Sequence, residues 1–149
     1  MPVTITPSGT RGVSMPMPPK ALRKPLFSIG AFFMRLRGAH ILELVTTGAK
    51  TGQEHSVPLG YFEDGPNAWL IVASFAGSAR HPAWYFNMAR NPDKIWIRLN
   101  GRRIKVQADT LSGEARTTAW QHVTREAPGY ASYETKTDRE IPVVRLSAV

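Results

Sequence analysis

The sequence predicts a mainly β, α+β domain: about six antiparallel strands rolled into a small barrel or a strongly curled sheet, with flanking helices. Three observations predict it. Residues 94–99 and 102–108 alternate with period two and are joined by Asn100-Gly101, the strongest short hairpin signal in the chain. Other short apolar runs, at 41–45, 53–62, 69–75 and 141–146, are separated by turns rich in Gly, Pro, Asn and Asp. Helical patterns occur only at the start, in the middle and late, as suits helices laid against consecutive hairpins. A chain of 149 residues is one domain long, and no internal repeat divides it.

Taken in order, residues 1–19 hold four Pro before Pro19 and no hydrophobic period, which reads as a disordered or extended arm and leaves 20–149 as a single domain. Residues 20–37 read as a basic amphipathic helix. Pro25 suits a first turn, Leu26, Ile29, Phe32, Phe33 and Leu36 share a face, and Lys20, Arg23, Lys24, Arg35 and Arg37 add charge with no acid among them. Such a helix covers one end of a core or lies on an anionic membrane surface. The strand at 41–45 enters a turn at 47–52, where Gly48 and Gly52 can take positive φ. Residues 53–62 continue as one strand, closed by Glu63-Asp64-Gly65-Pro66-Asn67, and 69–75, the most apolar run, is expected at the centre of the sheet. Residues 81–90 are helical, with Pro82 as the first helical residue and Asn91-Pro92 as the stop. A second helix is expected over 112–126 with Ser112 as N-cap. Ala127-Pro128-Gly129 can then hinge a lid that carries Tyr130 and Tyr133 on one helical face.

The 19 Lys and Arg exceed the 11 Asp and Glu by 8, which favours an anionic partner. The absence of Cys excludes disulfides, thiolate metal sites and Cys nucleophiles and fits a reducing compartment. With no secretory h-region and no apolar run long enough to span a bilayer, the expected location is cytoplasmic, with the inner face of the cell membrane within reach of residues 20–37. His40, His55, His81 and His122 fall in no spaced ligand motif, so no metal is expected, and surface or supporting roles suit each. No G-x-S-x-G motif and no paired carboxylates support hydrolysis, so an enzyme of this composition would borrow its reactive group from a cofactor.

Gly48-Ala49-Lys50-Thr51 is like the tail of a phosphate loop, but Ala49 and Leu44 stand where that loop needs Gly, and the turn enters a strand. An NTPase is therefore rejected, while amides, hydroxyls and Lys50 remain able to hold an anion. Trp84, Tyr85 and Phe86 are consecutive on a helix and cannot all face the core, so one or two must line a surface or groove. An anion-holding turn and a wall for a flat ring together describe a nucleotide-like cofactor site. A competing reading is a basic nucleic-acid-binding barrel using Lys94, Arg98, Arg102, Arg103 and Lys105 with Trp96, although the solvated face of a hairpin explains that cluster more simply and no nucleic-acid partner is expected.

The segments L-V-T-T-G-A-K-T-G-Q, V-P-L, V-A-S, H-P-A-W-Y-F-N, A-R-N-P and Y-A-S-Y-E-T-K-T-D-R-E-I-P-V-V, spread from Ile41 to Val144, resemble in order and spacing the deazaflavin-dependent nitroreductases of actinobacteria. The resemblance implies a split β-barrel that binds coenzyme F420, an 8-hydroxy-5-deazaflavin. It assigns the coenzyme phosphate to Ala49, Lys50 and Thr51. The site continues along His55, Ser56, Val57, Pro58, Leu59 and Gly60, then Val72, Ala73, Ser74 and Phe75, then Ala83, Trp84, Tyr85, Phe86 and Asn87, and is closed by Tyr130. Ala49 and His55 stand where members often carry Arg, and Gly60 where a Tyr can line the substrate side. The implied activity is hydride transfer from the reduced deazaflavin to a small electron-poor acceptor, a conjugated enone, unsaturated lactone or nitroaromatic, with Tyr130, Tyr133 and Ser74 as candidates to orient it or relay a proton. A carrier that only stores a deazaflavin or flavin is the alternative within this fold.

Overall fold

The computed structural model describes residues 3–12 and 40–149; the segment 20–37, with its helical and lipid-binding readings, lies outside the described residues. Among the described residues there are seven strands: β1 (Ile41–Thr47), β2 (Glu54–Gly60), β3 (Phe62–Glu63), β4 (Ala68–Val72), β5 (Ile95–Leu99), β6 (Arg102–Thr110) and β7 (Val143–Ala148). Three helices accompany them: α1 (Ala83–Arg90), α2 (Gly113–Glu126) and α3 (Ala131–Lys136), with short 3₁₀ turns at Phe75–Gly77 and Pro128–Tyr130.

Every pairing is antiparallel, in the order β2-β1-β5-β6-β7-β4-β3. Two features curl this sheet. The nine-residue β6 pairs with β5 through Arg102 to Lys105 and with β7 through Val106 to Thr110, so one strand serves both halves. β2 and β3 stand at opposite ends of the order yet are separated only by Tyr61, whose amide bonds to the His40 carbonyl at 3.0 Å. The run 53–62 expected as one strand is thus two, split at a bend that passes the chain from one sheet edge to the other. The hairpin at Asn100-Gly101 forms as expected, with φ of 52° and 76°, the paired left-handed residues of a type I′ turn.

The sheet is covered on both faces. Inside the curl, Leu42, Leu44, Ile71, Ile95, Ile97, Val144 and Leu146 pack around Trp84, Tyr85 and Met88, so α1 plugs the half-barrel. Outside, Leu70, Val72 and Val143 meet Ala119 and Val123, one turn apart on α2. β4 therefore buries alternate residues in two different cores, which explains its apolar sequence. It is sixth of the seven strands, not central: an apolar strand reports burial on both faces, not position in the order. Pro82 occupies the N-cap of α1, one residue before the expected position. Residues 3–12 form no helix or strand and pack against the rest of the chain. Val3 is buried in the inner core, Thr4 N bonds to Thr110 Oγ1, and Gly9 N to Ala79 O.

Candidate functional site

The Lys50 turn is built from both sides. Gly48 N donates to Gln53 O at 2.7 Å and Gly52 N to Gly48 O at 3.0 Å, closing the loop on itself. The Asn87 side chain, buried on α1, accepts from Ala49 N at 3.0 Å and donates to Thr46 Oγ1 at 3.3 Å, and Asn91 Nδ2 reaches Thr47 O. Gly52 has φ +69°, a conformation that favours Gly. Thr51 Oγ1 accepts from Gln53 N and lies 3.3 Å from His55 Nε2. The anion cradle is thus narrower than the sequence suggested, because Asn87 has taken the Ala49 amide. The amides of Lys50 and Thr51 have no acceptor among the described residues, and the exposed Lys50 has no carboxylate partner among them.

The aromatic triplet divides as helical geometry requires, each residue turned about 100° from the last. Trp84 and Tyr85 point into the core, Tyr85 with no exposure at all, and Phe86 remains 39% exposed. The Tyr85 hydroxyl donates to Thr4 O and lies 3.2 Å from Thr110 Oγ1, and burial raises its pKa. Tyr85 is consequently a core residue with no free face for a ligand, and Asn87 supports the turn from behind. Ala83 and Phe86 are the members of this group that face outward.

From the turn, β2 runs along the rim. His55 and Ser56 are exposed, and Val57, Pro58, Leu59 and Gly60 half-buried, with Val57 and Leu59 resting on the inner core. Pro58 is tolerated because β2 ends the strand order. At the far end of β2, Tyr130 leans over Gly60. Its ring packs edge-on against Phe62 and Tyr133, at centroid distances of 5.7 and 5.6 Å, and Lys136 Nζ lies 5.3 Å from the Tyr133 ring centroid. Burial, then the neighbouring Tyr133, raises the Tyr130 pKa, so the phenol holds its proton. Its hydroxyl makes no hydrogen bond among the described residues. The loop after β4 completes the rim. Val72 and Ala73 are buried, and Ser74 and Phe75 half-buried. α3 sits on this loop so closely that a Cβ at Gly77 would meet Lys136 Cβ at 2.8 Å. The structure thus brings Gly60, Tyr130, Tyr133 and the loop carrying Ser74 together. Five strand rises, roughly 17 Å, separate Gly60 from His55, and the Lys50 turn lies beyond it.

Two residues at this rim were not singled out as site residues from sequence. Arg139, 4% exposed, gathers Ala73 O, Ser74 O, Ser78 O and His81 Nδ1 on one guanidinium. His81, 3% exposed, donates from Nε2 to Thr6 O at 2.7 Å, and burial together with the Arg139 charge lowers its pKa. An Arg between Asp138 and Glu140 reads as surface; its one signal was membership of the late T-D-R-E-I-P segment.

The basic hairpin face is occupied from within. Arg98 bonds to Glu43 at 2.8 Å, Arg103 pairs in bidentate fashion with Glu54 and lies 4.7 Å over Trp96, and Lys105 approaches the same ring. The Trp96 ring that base stacking would need is thus already in contact with Arg103. Two depressions, of about 460 and 610 Å³, lie against α2 beside the Asp64–Arg145 ion pair and beside the Asn100 turn; neither includes a candidate coenzyme or acceptor residue, and Arg102 of the basic hairpin lines the second.

The sequence profile of the F420H(2)-dependent quinone reductase family matches residues 27–147. An F420H(2)-dependent quinone reductase of Mycobacterium tuberculosis is 42% identical over 109 residues, 71% of this chain and 72% of the relative. A solved F420-H2-dependent reductase, FDR-A, superposes with a TM-score of 0.64 at 38% identity, over 72% of this chain and 93% of that one. A solved chain described as a domain-swapped dimer reaches the same TM-score at 33% identity, over 83% of this chain and 99% of its own length.

Proposed function

The chain belongs to the F420H(2)-dependent quinone reductase family, and from that premise we propose that it reduces a quinone-type acceptor with a hydride from F420 held along the β2 rim. The coenzyme when bound supplies the hydride, so the chain needs no nucleophile of its own, in keeping with its lack of a triad or metal motif. One observation carries the reading: β2 joins two unsatisfied ends. At one end are exposed Lys50 and the amides of Lys50 and Thr51, which have no acceptor among the described residues and suit a phosphate; at the other is the Tyr130 hydroxyl over Gly60, which makes no hydrogen bond among the described residues. These residues fit an elongated anionic coenzyme with a flat head.

In this proposal Lys50, Thr51 and His55 hold the phosphate end, and Ala49, its amide bonded to Asn87, shapes the turn. Ser56, Val57, Pro58, Leu59, Gly60, Val72, Ala73, Ser74 and Phe75 border the ring, Ala83 and Phe86 flank it, and Trp84, Tyr85 and Asn87 support it from within the fold. Tyr130, protonated at neutral pH, donates a hydrogen bond to the acceptor oxygen; Tyr133 and Ser74 orient the acceptor. Unsaturated lactones and nitroaromatics share the electron-poor character of a quinone and are proposed as further acceptors. The basic, apolar segment 20–37 is proposed to bring the enzyme to anionic lipid, where lipophilic quinones reside. No helix among the described residues is long and apolar enough to cross a membrane.

The test is titration of purified protein with oxidised F420 and with FMN, followed by oxidation of the reduced coenzyme on addition of a soluble naphthoquinone. Binding of F420 with quinone-dependent turnover supports the proposal. Binding without turnover to any acceptor class would make the chain a carrier, and FMN binding without F420 binding would overturn the coenzyme reading.

A further inference from the structure

Arg139 is a buried cation with an uncommon set of partners. Nε donates to Ser78 O at 3.0 Å, Nη1 to Ala73 O and His81 Nδ1, each at 2.9 Å, and Nη2 to Ser74 O at 2.8 Å. No carboxylate pairs with it among the described residues. Asp138, beside it, is turned to Thr10 and Arg11, and Glu140 to Arg116. Burying a guanidinium without a counter-ion is unfavourable, and the three loop carbonyls compensate through their dipoles. Because the guanidinium is a planar fork, those carbonyls must converge on it, which fixes the path of residues 73–78. The path is one the backbone does not choose by itself: Phe75, a non-glycine residue, has φ +43°, and Gly77 φ +82°.

The same loop borders the proposed coenzyme ring at Ser74 and Phe75 and seats α3, which carries Tyr133, at Gly77. His81 leads into α1, whose Asn87 holds the Lys50 turn. The guanidinium is therefore joined directly to the loop at 73–78 and to His81, and through these elements to α3 and to α1, which holds the Lys50 turn. Drawing the carbonyls of Ala73 and Ser74 toward Arg139 turns the amides of Ser74 and Phe75 away from it, since each peptide is trans and planar. Neither amide has an acceptor among the described residues.

We propose that Arg139 is a positioning residue of the coenzyme site: without touching the ligand, its guanidinium shapes the loop at residues 73–78 so that Ser74 and Phe75 face the bound ring. The inference rests on the F420 reading above, and binding of oxidised F420 to the full-length wild-type protein is measured first; its absence would overturn that reading and this one with it. Arg139→Lys keeps the charge but not the fork. In the folded variant the dissociation constant should rise by about tenfold or more, whereas Lys at this place would serve equally well if only charge mattered. In Arg139→Ala, millimolar guanidinium should restore coenzyme affinity and ammonium should not. A folded Arg139→Lys protein with wild-type affinity overturns the proposal. Should both variants fail to fold, the wild-type protein still decides: on titration with oxidised F420 the ¹⁵N signals of Arg139 Nε and of the Ser74 and Phe75 amides should shift. Unmoved signals there, with the Lys50 and Thr51 amides responding, overturn it.

Discussion

The hydroxyl of Tyr130 lies against the backbone of Gly60, where an added Cβ would stand 3.2 Å from Oη. That distance is tighter than an ordinary contact, so a Cβ at 60 makes the phenol give by a few tenths of an ångström and a branched side chain crowds it further. Gly60→Val should therefore lower kcat/KM for the quinone by about tenfold while leaving the Lys50 turn intact. The two residues touch, so their effects should not add: in Tyr130→Ala, the further change Gly60→Val should cost little. Steady-state kinetics of the two single variants and the double variant checks this, and full additivity would show that the contact does not serve the acceptor.

Lys50 is exposed and without a carboxylate partner among the described residues, so its removal leaves the fold unharmed. Lys50→Ala should remove a charge-assisted phosphate contact of about 1.5–3 kcal/mol, at least a tenfold loss of coenzyme affinity. Asn87→Ala should act differently. It frees the Ala49 amide and strands Thr46, so it should destabilise the protein by about 1–3 kcal/mol as well as weaken the coenzyme. Thermal melts and coenzyme titrations of the two variants separate a residue that binds from one that holds the binder. An unchanged dissociation constant in Lys50→Ala would reduce the turn to a hairpin connection.

What the sequence made legible, and what it did not, follows from which partners it writes down. Asn100-Gly101 announced its hairpin because the turn chemistry is local. The Lys50 turn was legible for the same reason, but not the loss of the Ala49 amide to Asn87, a partner 38 residues away. Consecutive Trp84, Tyr85 and Phe86 signalled a divided environment, and helical geometry alone did not say which ring would stay outside. Arg139 was illegible because most of its partners are backbone carbonyls, which every residue possesses. The split of 53–62 at Tyr61 was hidden because both halves are β-prone and only the register with β1 and β4 separates them.

Tyr130→Phe keeps the ring against Phe62 and removes only a hydroxyl that makes no hydrogen bond among the described residues, so stability and coenzyme affinity should be preserved. Turnover should fall by about tenfold or more if the protonated phenol donates to the acceptor oxygen. Tyr130→Ala should damage both, since it also empties the ring's place between Gly60 and Tyr133. Single-turnover oxidation of the reduced coenzyme, measured beside its affinity, distinguishes the variants. Wild-type rates in Tyr130→Phe would assign the residue to packing alone.

The His81 cluster predicts how the protein responds to acid. His81 Nδ1 accepts from Arg139 at 2.9 Å and Nε2–H donates to Thr6 O, so both ring nitrogens are committed in the neutral form. Protonation would place a second cation against the guanidinium, in a pocket that also holds the Tyr85 and Phe86 rings. Burial and that charge lower the folded pKa below 6.5, whereas the unfolded chain titrates near the ordinary value. Between those two values the unfolded state binds the extra proton, so stability rises with pH, and falls on acidification by up to about 1.4 kcal/mol per pH unit. Asp138 adds a second window further down. Hydrogen bonds from Thr10 and Arg11 lower its pKa to about 2, so what it contributes is present above 3.8 and is lost as pH falls toward 2, releasing residues 10 and 11. Thermal melts of the coenzyme-free protein from pH 8 to pH 4 should therefore show a decline that begins near 6.5, ahead of any carboxylate. His81→Gln should melt lower throughout and lose the upper part of that slope, while Asp138→Asn should keep it. A wild-type melting temperature that stays flat between pH 7 and pH 5 would mean that the imidazole accommodates its proton, and the neutral His81 ring would not be what ties Arg139 to Thr6.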